Sequence, residues 1–167
     1  MQVVLYPLDR AVIGEKTIML GMHKTSVWNT LGKGESFDGK RYYYFNSEVA
    51  IDFDDEDKVE FIEFLAGTDG ELKPVIYGLS AFEENADTLT EVLTKKNNGE
   101  IDDAEKPYSY GFPAISVGIY RECFPEEIIQ EAGDEGRSLE DDDVRADLRK
   151  AMHWGTIGIG VKDYYKD

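Results

Sequence analysis

Four carboxylates, Asp52, Asp54, Glu56 and Glu63, stand at the first, third, fifth and twelfth positions of a calcium-binding loop, with apolar Val59 at the eighth. Hard cations take oxygen ligands from that spacing. The sixth position must turn sharply and calls for glycine, but here it is Asp57. The flanking residues alternate as strands do, where the loop needs helices. The spacing therefore reduces to weak, adventitious calcium binding at an acidic turn. Zinc has no support, because His23, His153 and Cys123 show no paired ligand spacing. Nucleophilic catalysis is equally unsupported. Gly78-Leu79-Ser80-Ala81 lacks the second glycine of a nucleophile elbow, and Cys123 beside Phe124 reads as a small hydrophobe. Gly32-Lys33-Gly34-Glu35-Ser36 is too short for a phosphate loop, and Gly158 and Gly160 fall in a strand with no helix after it. Carboxylate pairs are plentiful, but an acid catalyst needs an apolar pocket to raise its pKa, and nothing marks one out. The expectation is a protein that is not an enzyme and uses no cofactor and no metal. The alternative is a small enzyme working through carboxylates alone.

The acidic residues sit on a meander. Arg41–Phe45 and Glu48–Phe53 read as strands paired across Asn46-Ser47, and the acidic turn leads into a third strand, Val59–Leu65. Val49, Ile51 and Phe53 share one face. Along Val59–Leu65 the apolar phase shifts near Phe61-Ile62, which predicts a bulge or burial of both faces. Val3–Tyr6 and Thr17–Leu20 read as short strands around a Pro7/Gly14 loop. Lys24 or Thr25 opens a short helix that Gly32 stops. Pro74–Tyr77 is a further strand, and Asn85 or Asp87 caps a helix carrying Leu89, Val92 and Leu93. Tyr108–Phe112 and Ala114–Tyr120 form a second hairpin, residues 125–136 a polar loop with room for one helical turn, and Ser138 caps a charged helix running to His153. Thr156–Val161 closes the chain as a strand. The expected fold is α+β: an antiparallel sheet of two meander-like halves with helices packed on one face. Residues 1–167 form one unit, divisible into degenerate helix-plus-sheet repeats at about 17–66 and 74–162. Trp28, Leu31, Val49, Ile51, Phe53, Leu89, Leu93 and Ile119 are the expected core.

The formal net charge is −17, from 18 basic and 35 acidic residues, and both halves of the chain share it. Such a field repels nucleic acid and anionic membranes and attracts basic proteins. A single cysteine excludes an intrachain disulfide. No signal peptide and no spanning segment is evident, so a cytoplasmic location is expected. The expected partner surface is Tyr43, Glu48, Asp52, Asp54, Asp55, Glu56, Asp57 and Glu60. Tyrosine beside carboxylates suits an interface with a basic protein, and crowding like charge into one turn opposes folding. Neutralising Asp54, Asp55 and Asp57 should on that basis slow association and preserve or raise stability.

Two resemblances add to this. Leu20-Gly21-Met22-His23-Lys24-Thr25-Ser26-Val27-Trp28-Asn29-Thr30-Leu31-Gly32 resembles the "lGMtkeeVxxlLG" opening of modules of the beta-lactamase-inhibitor-protein and outer-membrane-assembly-lipoprotein type. Those modules pack helix pairs on an antiparallel sheet and bind proteins. His23 departs from their usual Ser/Thr, and their lipoprotein cysteine and export signal are absent. More widely, "RYYYF", "IDFDDEDKVEFIEF", "ISVGIYR" and "TIGIGVKDYY" resemble small acidic bacterial immunity proteins that partner polymorphic or contact-dependent toxins. That resemblance implies a non-enzymatic cytoplasmic protein that binds and neutralises a cognate, basic toxin domain. The sequence leaves open a nucleic-acid mimic that blocks a DNA-binding protein.

Overall fold

The structure is a computed structural model describing residues 1–166. Its fold is α+β. The strands are β1 (Gln2–Tyr6), β2 (Arg10–Ile13), β3 (Lys16–Met19), β4 (Arg41–Tyr44), β5 (Val49–Phe53), β6 (Val59–Phe64), β7 (Lys73–Ile76), β8 (Leu79–Ser80), β9 (Ser109–Phe112), β10 (Val117–Tyr120) and β11 (Thr156–Gly160). The helices are α1 (Lys24–Leu31), α2 (Ala86–Lys96), α3 (Pro125–Asp134) and α4 (Asp142–Ala151).

The larger sheet has the order β4-β5-β6-β11-β10-β9 and is antiparallel throughout. It consists of two three-stranded meanders joined where β6 meets β11. In cross-strand register, Tyr42, Ile51, Ile62, Ile159, Val117 and Phe112 form one buried row, and Tyr44, Val49, Phe64, Ile157 and Ile119 form the next. This face is the core. The phase shift in β6 is a bulge one step earlier than the residue pattern placed it. The pairing moves from Asp52↔Phe61 to Phe53↔Val59, so Glu60 is the extra residue. Phe61 therefore points to the opposite face. That face is not wholly open to water: Phe61 stacks on Tyr164 at 4.5 Å, and Tyr165 lies edge-on at 6.0 Å.

A second sheet, β3-β2-β1-β7-β8, was not anticipated as a separate layer. The stretch expected as a Pro7/Gly14 loop contains β2, and β1 pairs with β7 in parallel. Val3, Leu5, Ile18 and Ile76 of this sheet belong to the same buried cluster as Ile51 and Ile119 of the larger one.

Each meander has a helix on its core face. Helix α1 starts at His23, whose Nδ1 accepts from the Thr25 N–H at 3.2 Å, so histidine serves as the cap at that position. Gly32 ends α1 at φ 91°. Trp28 of this helix meets Tyr42 edge-on at 6.0 Å, but Trp28 and Leu31 are only half-buried. Helix α2 is capped by Asn85 and buries Leu89 and Leu93. Trp154, absent from the expected core, is fully buried here, and its indole N–H donates to the Ala86 carbonyl at 2.9 Å. Asn97 at the end of α2 is also buried. Its Oδ1 accepts from the Ala114 and Ile115 N–H groups at 2.7 and 3.1 Å, and its Nδ2 donates to the Glu100 carbonyl.

The segment expected as a polar loop is helix α3. Pro125 stands in its first turn, Glu126 and Glu127 complement its dipole there, and Ile128 and Ala132 bury one stripe. Helix α4 begins after Asp141 rather than Ser138 and ends before Met152, which is exposed. The two helices form an arm between β10 and β11 with a small cluster of its own, made of Ile128, Ala132, Val144 and Ala151.

Removing the Asn97 side chain strands two backbone donors. Asn97→Ala should therefore destabilise by on the order of 1–3 kcal/mol for each group left unpaired. Ile51→Ala should destabilise by about 2–5 kcal/mol through the cavity it leaves. Urea denaturation of both variants measures these losses, and a change under about 0.5 kcal/mol at Ile51 would place it outside the working core.

Candidate protein-interaction face

The acidic turn is held by internal partners. Asp54 Oδ1 accepts from the Glu56 and Lys58 N–H groups at 2.9 and 3.0 Å. Asp55 pairs with Lys40 at 2.5 Å, Asp57 with Lys24 at 2.8 Å, and Glu56 with Lys58 at 3.1 Å. Asp52 and Glu63 share the Arg41 guanidinium, at 2.9 and 2.5 Å. Glu48 Oε1 accepts from the Leu72 N–H at 3.1 Å and so fastens the loop before β7. Asp57 adopts φ 60°, the left-handed turn for which a calcium loop uses glycine. The flanks are nevertheless strands, and Asp52 and Glu63 are committed to Arg41. No group of three or more His, Cys, Asp or Glu is arranged to hold a metal among the described residues.

Asp52, Asp54, Asp55 and Glu60 gather near the bulge. Burial, and then these neighbouring carboxylates, push the Glu60 pKa up. Burial also pushes Asp52 up, against the pull of Arg41. Tyr43 lies on the outer face of β4, opposite Ala50, between the Arg41 guanidinium and Phe37. Phe37 is 97% exposed, on a loop stapled by Asp38, whose Oδ1 accepts from the Lys40 and Arg41 N–H groups, both at 2.9 Å. Those two bonds hold the Asp38 carboxyl below its ordinary range. The charge of this hairpin thus has structural partners, and solubility or a partner is not required to explain it.

The uncompensated charge lies on the helical arm. Residues 125–151 hold 10 acidic residues against Arg137, Arg145, Arg149 and Lys150, a net −6 of the total −17. Arg137 bridges Glu135 and Asp143, and Arg145 meets Glu140 at 3.9 Å. Glu126, Glu131, Asp134, Asp142 and Asp147 form no ion pair among the described residues. Ile129 and Leu139 stand exposed among them. A charge count in short windows marks this segment in the sequence.

Two recesses flank the arm's root. One, of about 440 Å³, lies between the arm and the turn around Gly67–Asp69, lined by Glu131 and Asp147 from the helices and by Arg121. Arg121 is 8% exposed and acts as a strut. Its Nε donates to the Pro107 carbonyl at 3.1 Å, its Nη1 to the Ala151 carbonyl at the end of α4 at 3.0 Å, and its guanidinium lies 4.7 Å from the Trp154 ring centre. Cys123 lines the same recess, and burial followed by the Glu127 and Glu131 carboxylates pushes its thiol up, away from the nucleophilic thiolate. The second recess, of about 300 Å³, lies on the outer face of the second meander. Tyr120 and Thr156 separate the two. Carboxylates, tyrosines and open concavities can bind cations and basic side chains. None of the residues single out a nucleophile with its base.

Neither a protein-family model, nor a curated protein, nor a solved structure matches this chain. No helix among the described residues is long and apolar enough to cross a membrane.

Two stability tests follow from the turn. Asp57→Asn breaks the Lys24 pair, so it should lower the urea midpoint, and the loss should shrink at about 1 M salt, where exposed charges are screened. This reverses the expectation that neutralising the turn leaves stability unchanged or raised. The Asp38 carboxyl is depressed in the fold, so its contribution is complete above the ordinary value of 3.8 and is lost as the pH falls through the lower folded value. The stability gap between wild type and Asp38→Ala should accordingly close on acidification below that point.

Proposed function

We propose that the protein is a non-enzymatic, immunity-type inhibitor that acts in the cytoplasm and neutralises a basic toxin domain by binding it. The single observation behind this reading is the net −6 of the α3–α4 arm, in which Glu126, Glu131, Asp134, Asp142 and Asp147 form no ion pair among the described residues. Like charge at that density raises the energy of the folded arm, and a basic partner relieves it on binding. Such a field also steers encounter, which suits an inhibitor that must capture its target quickly. The exposed Ile129 and Leu139 supply apolar area within the charged surround, the usual anatomy of an interface centre and rim. The acidic hairpin with Tyr43 and Phe37 adds a second polar and aromatic surface, whose charges already serve the fold.

The partner to test is the protein encoded beside this one. Glu131→Gln, Asp134→Asn and Asp147→Asn lie outside the first turns of α3 and α4, where acids favour the helix, so the triple variant should keep its stability. Its association rate should fall by roughly tenfold or more at about 0.01 M ionic strength and converge on wild type at about 1 M. Stopped-flow association measures both. Equal rates and equal salt slopes would remove the arm from the interface, and no association by wild type would reject the inhibitor reading.

A further inference from the structure

The smaller recess carries a more specific assignment. Its floor is backbone at Gly111 of β9, which sits opposite Gly118 of β10 in register. The Tyr165 phenol lies directly over Gly118, where any added Cβ would overlap it. Tyr120, 45% exposed, borders the recess on the side toward the arm. Three carboxylates surround the opening. Glu63 spends one oxygen on Arg41, Asp102 spends one on the Ala104 N–H at 3.1 Å, and the Glu105 side chain forms no hydrogen bond or ion pair among the described residues. Among the described residues no lysine or arginine lines the recess, although the chain has 18 of them. Arg41 offsets Glu63 from outside the recess, whereas Asp102 and Glu105 form no ion pair among the described residues.

We propose that this recess is a slot for an arginine side chain of the protein partner. The guanidinium is planar and weakly hydrated, lies well on tyrosine faces, and offers several donors to carboxylates at once. The open backbone at Gly111, between Asp102 and Tyr165, accepts a flat group, and the surrounding acids supply the counter-charge. The identity of the partner as a protein rests on the inhibitor reading above, whereas the chemistry of the slot does not.

The probe is N-acetyl-arginine methylamide, with the citrulline analogue as its uncharged isostere, titrated while amide proton–nitrogen correlation spectra are recorded. The arginine probe should shift the Gly111 and Gly118 amides with a dissociation constant on the order of 1 mM, and the citrulline probe should not. Asp102→Asn with Glu105→Gln, which keeps the Asp102 acceptor to Ala104, should weaken binding by about tenfold. Gly111→Val should abolish binding without changing charge, because its side chain grows between Asp102 and Tyr165. If that variant does not fold, Gly111→Ala serves, since its methyl would make ordinary contacts of 3.6 Å to Asp102 and 3.7 Å to Tyr165. Shifts spread evenly over the acidic surface, equal shifts with citrulline, or binding unchanged by either Gly111 variant would overturn the slot. A failed slot beside intact association with the basic partner rejects this assignment alone. A working slot beside no association rejects the inhibitor reading alone.

Discussion

The antiparallel pairing of β6 with β11 is the constraint on which the rest of the molecule depends. It joins two meanders that are each only three strands wide into one continuous sheet. A three-stranded meander has two edges and little apolar area, and the join removes one edge from each. The pairing also fixes which residues face inward. Ile62 and Phe64 meet Ile159 and Ile157 on the core face, so Phe61 and Glu63 must face outward opposite Gly160 and Gly158. Phe61 then finds room because Gly158 has no side chain, and a Cβ there would overlap the ring. The bulge at Glu60 makes this register possible. It lets Val59 keep its place beneath Phe53 while the remainder of β6 changes phase.

The outer face follows from the same pairing. Gly111, Gly118 and Gly158 align across β9, β10 and β11, and the chain returns after β11 to lay Tyr165 over Gly118 and Tyr164 over Gly160, while Phe61 covers Gly158. Burial, and then the Asp52 carboxylate, pushes the Tyr164 phenol up to about 12, and burial with the Tyr164 ring pushes Tyr165 higher still. Both phenols therefore stay protonated at neutral pH. A sheet face that would otherwise be bare glycine becomes partly aromatic, with one open recess where the tail stops.

Charge is distributed by two rules. In the hairpin around Asp54–Asp57, Lys24, Lys40, Arg41 and Lys58 arrive from a helix, a loop and two strand ends to offset the carboxylates. Exposed pairs of this kind contribute little individually, but together they keep a tight turn from repelling itself. On the arm between β10 and β11 the charge is moderated by the Arg137 and Arg145 pairs and by the helix termini, through acids in the first turns of α3 and α4 and bases in the last turn of α4, and five acids form no ion pair among the described residues. The surface left over is the one available to a partner.

The sequence by itself determined what depends on neighbours along the chain. Alternation placed β4, β5 and β6, the caps and stops placed α1 and α2, and inward parity put Val49, Ile51, Phe53, Leu89, Leu93 and Ile119 in the core. These are properties of one backbone segment and its two faces. Helix α3 was legible too, in Pro125, the acids after it and the Ile128–Ala132 spacing, but only two buried positions in so polar a stretch make a weak period. The tertiary structure decided what depends on segments far apart. Nothing in β1 or β7 announces a parallel pair across about 70 residues of chain, whose register runs from Gln2↔Lys73 to Leu5↔Ile76. Nor does any local pattern show that Arg41 reaches both Asp52 and Glu63, that Trp154 bonds to α2, or that Tyr165 comes to rest on Gly118. Whether a carboxylate is free or paired is settled by which distant cation the packing delivers to it, and residue order along one strand holds no record of that delivery.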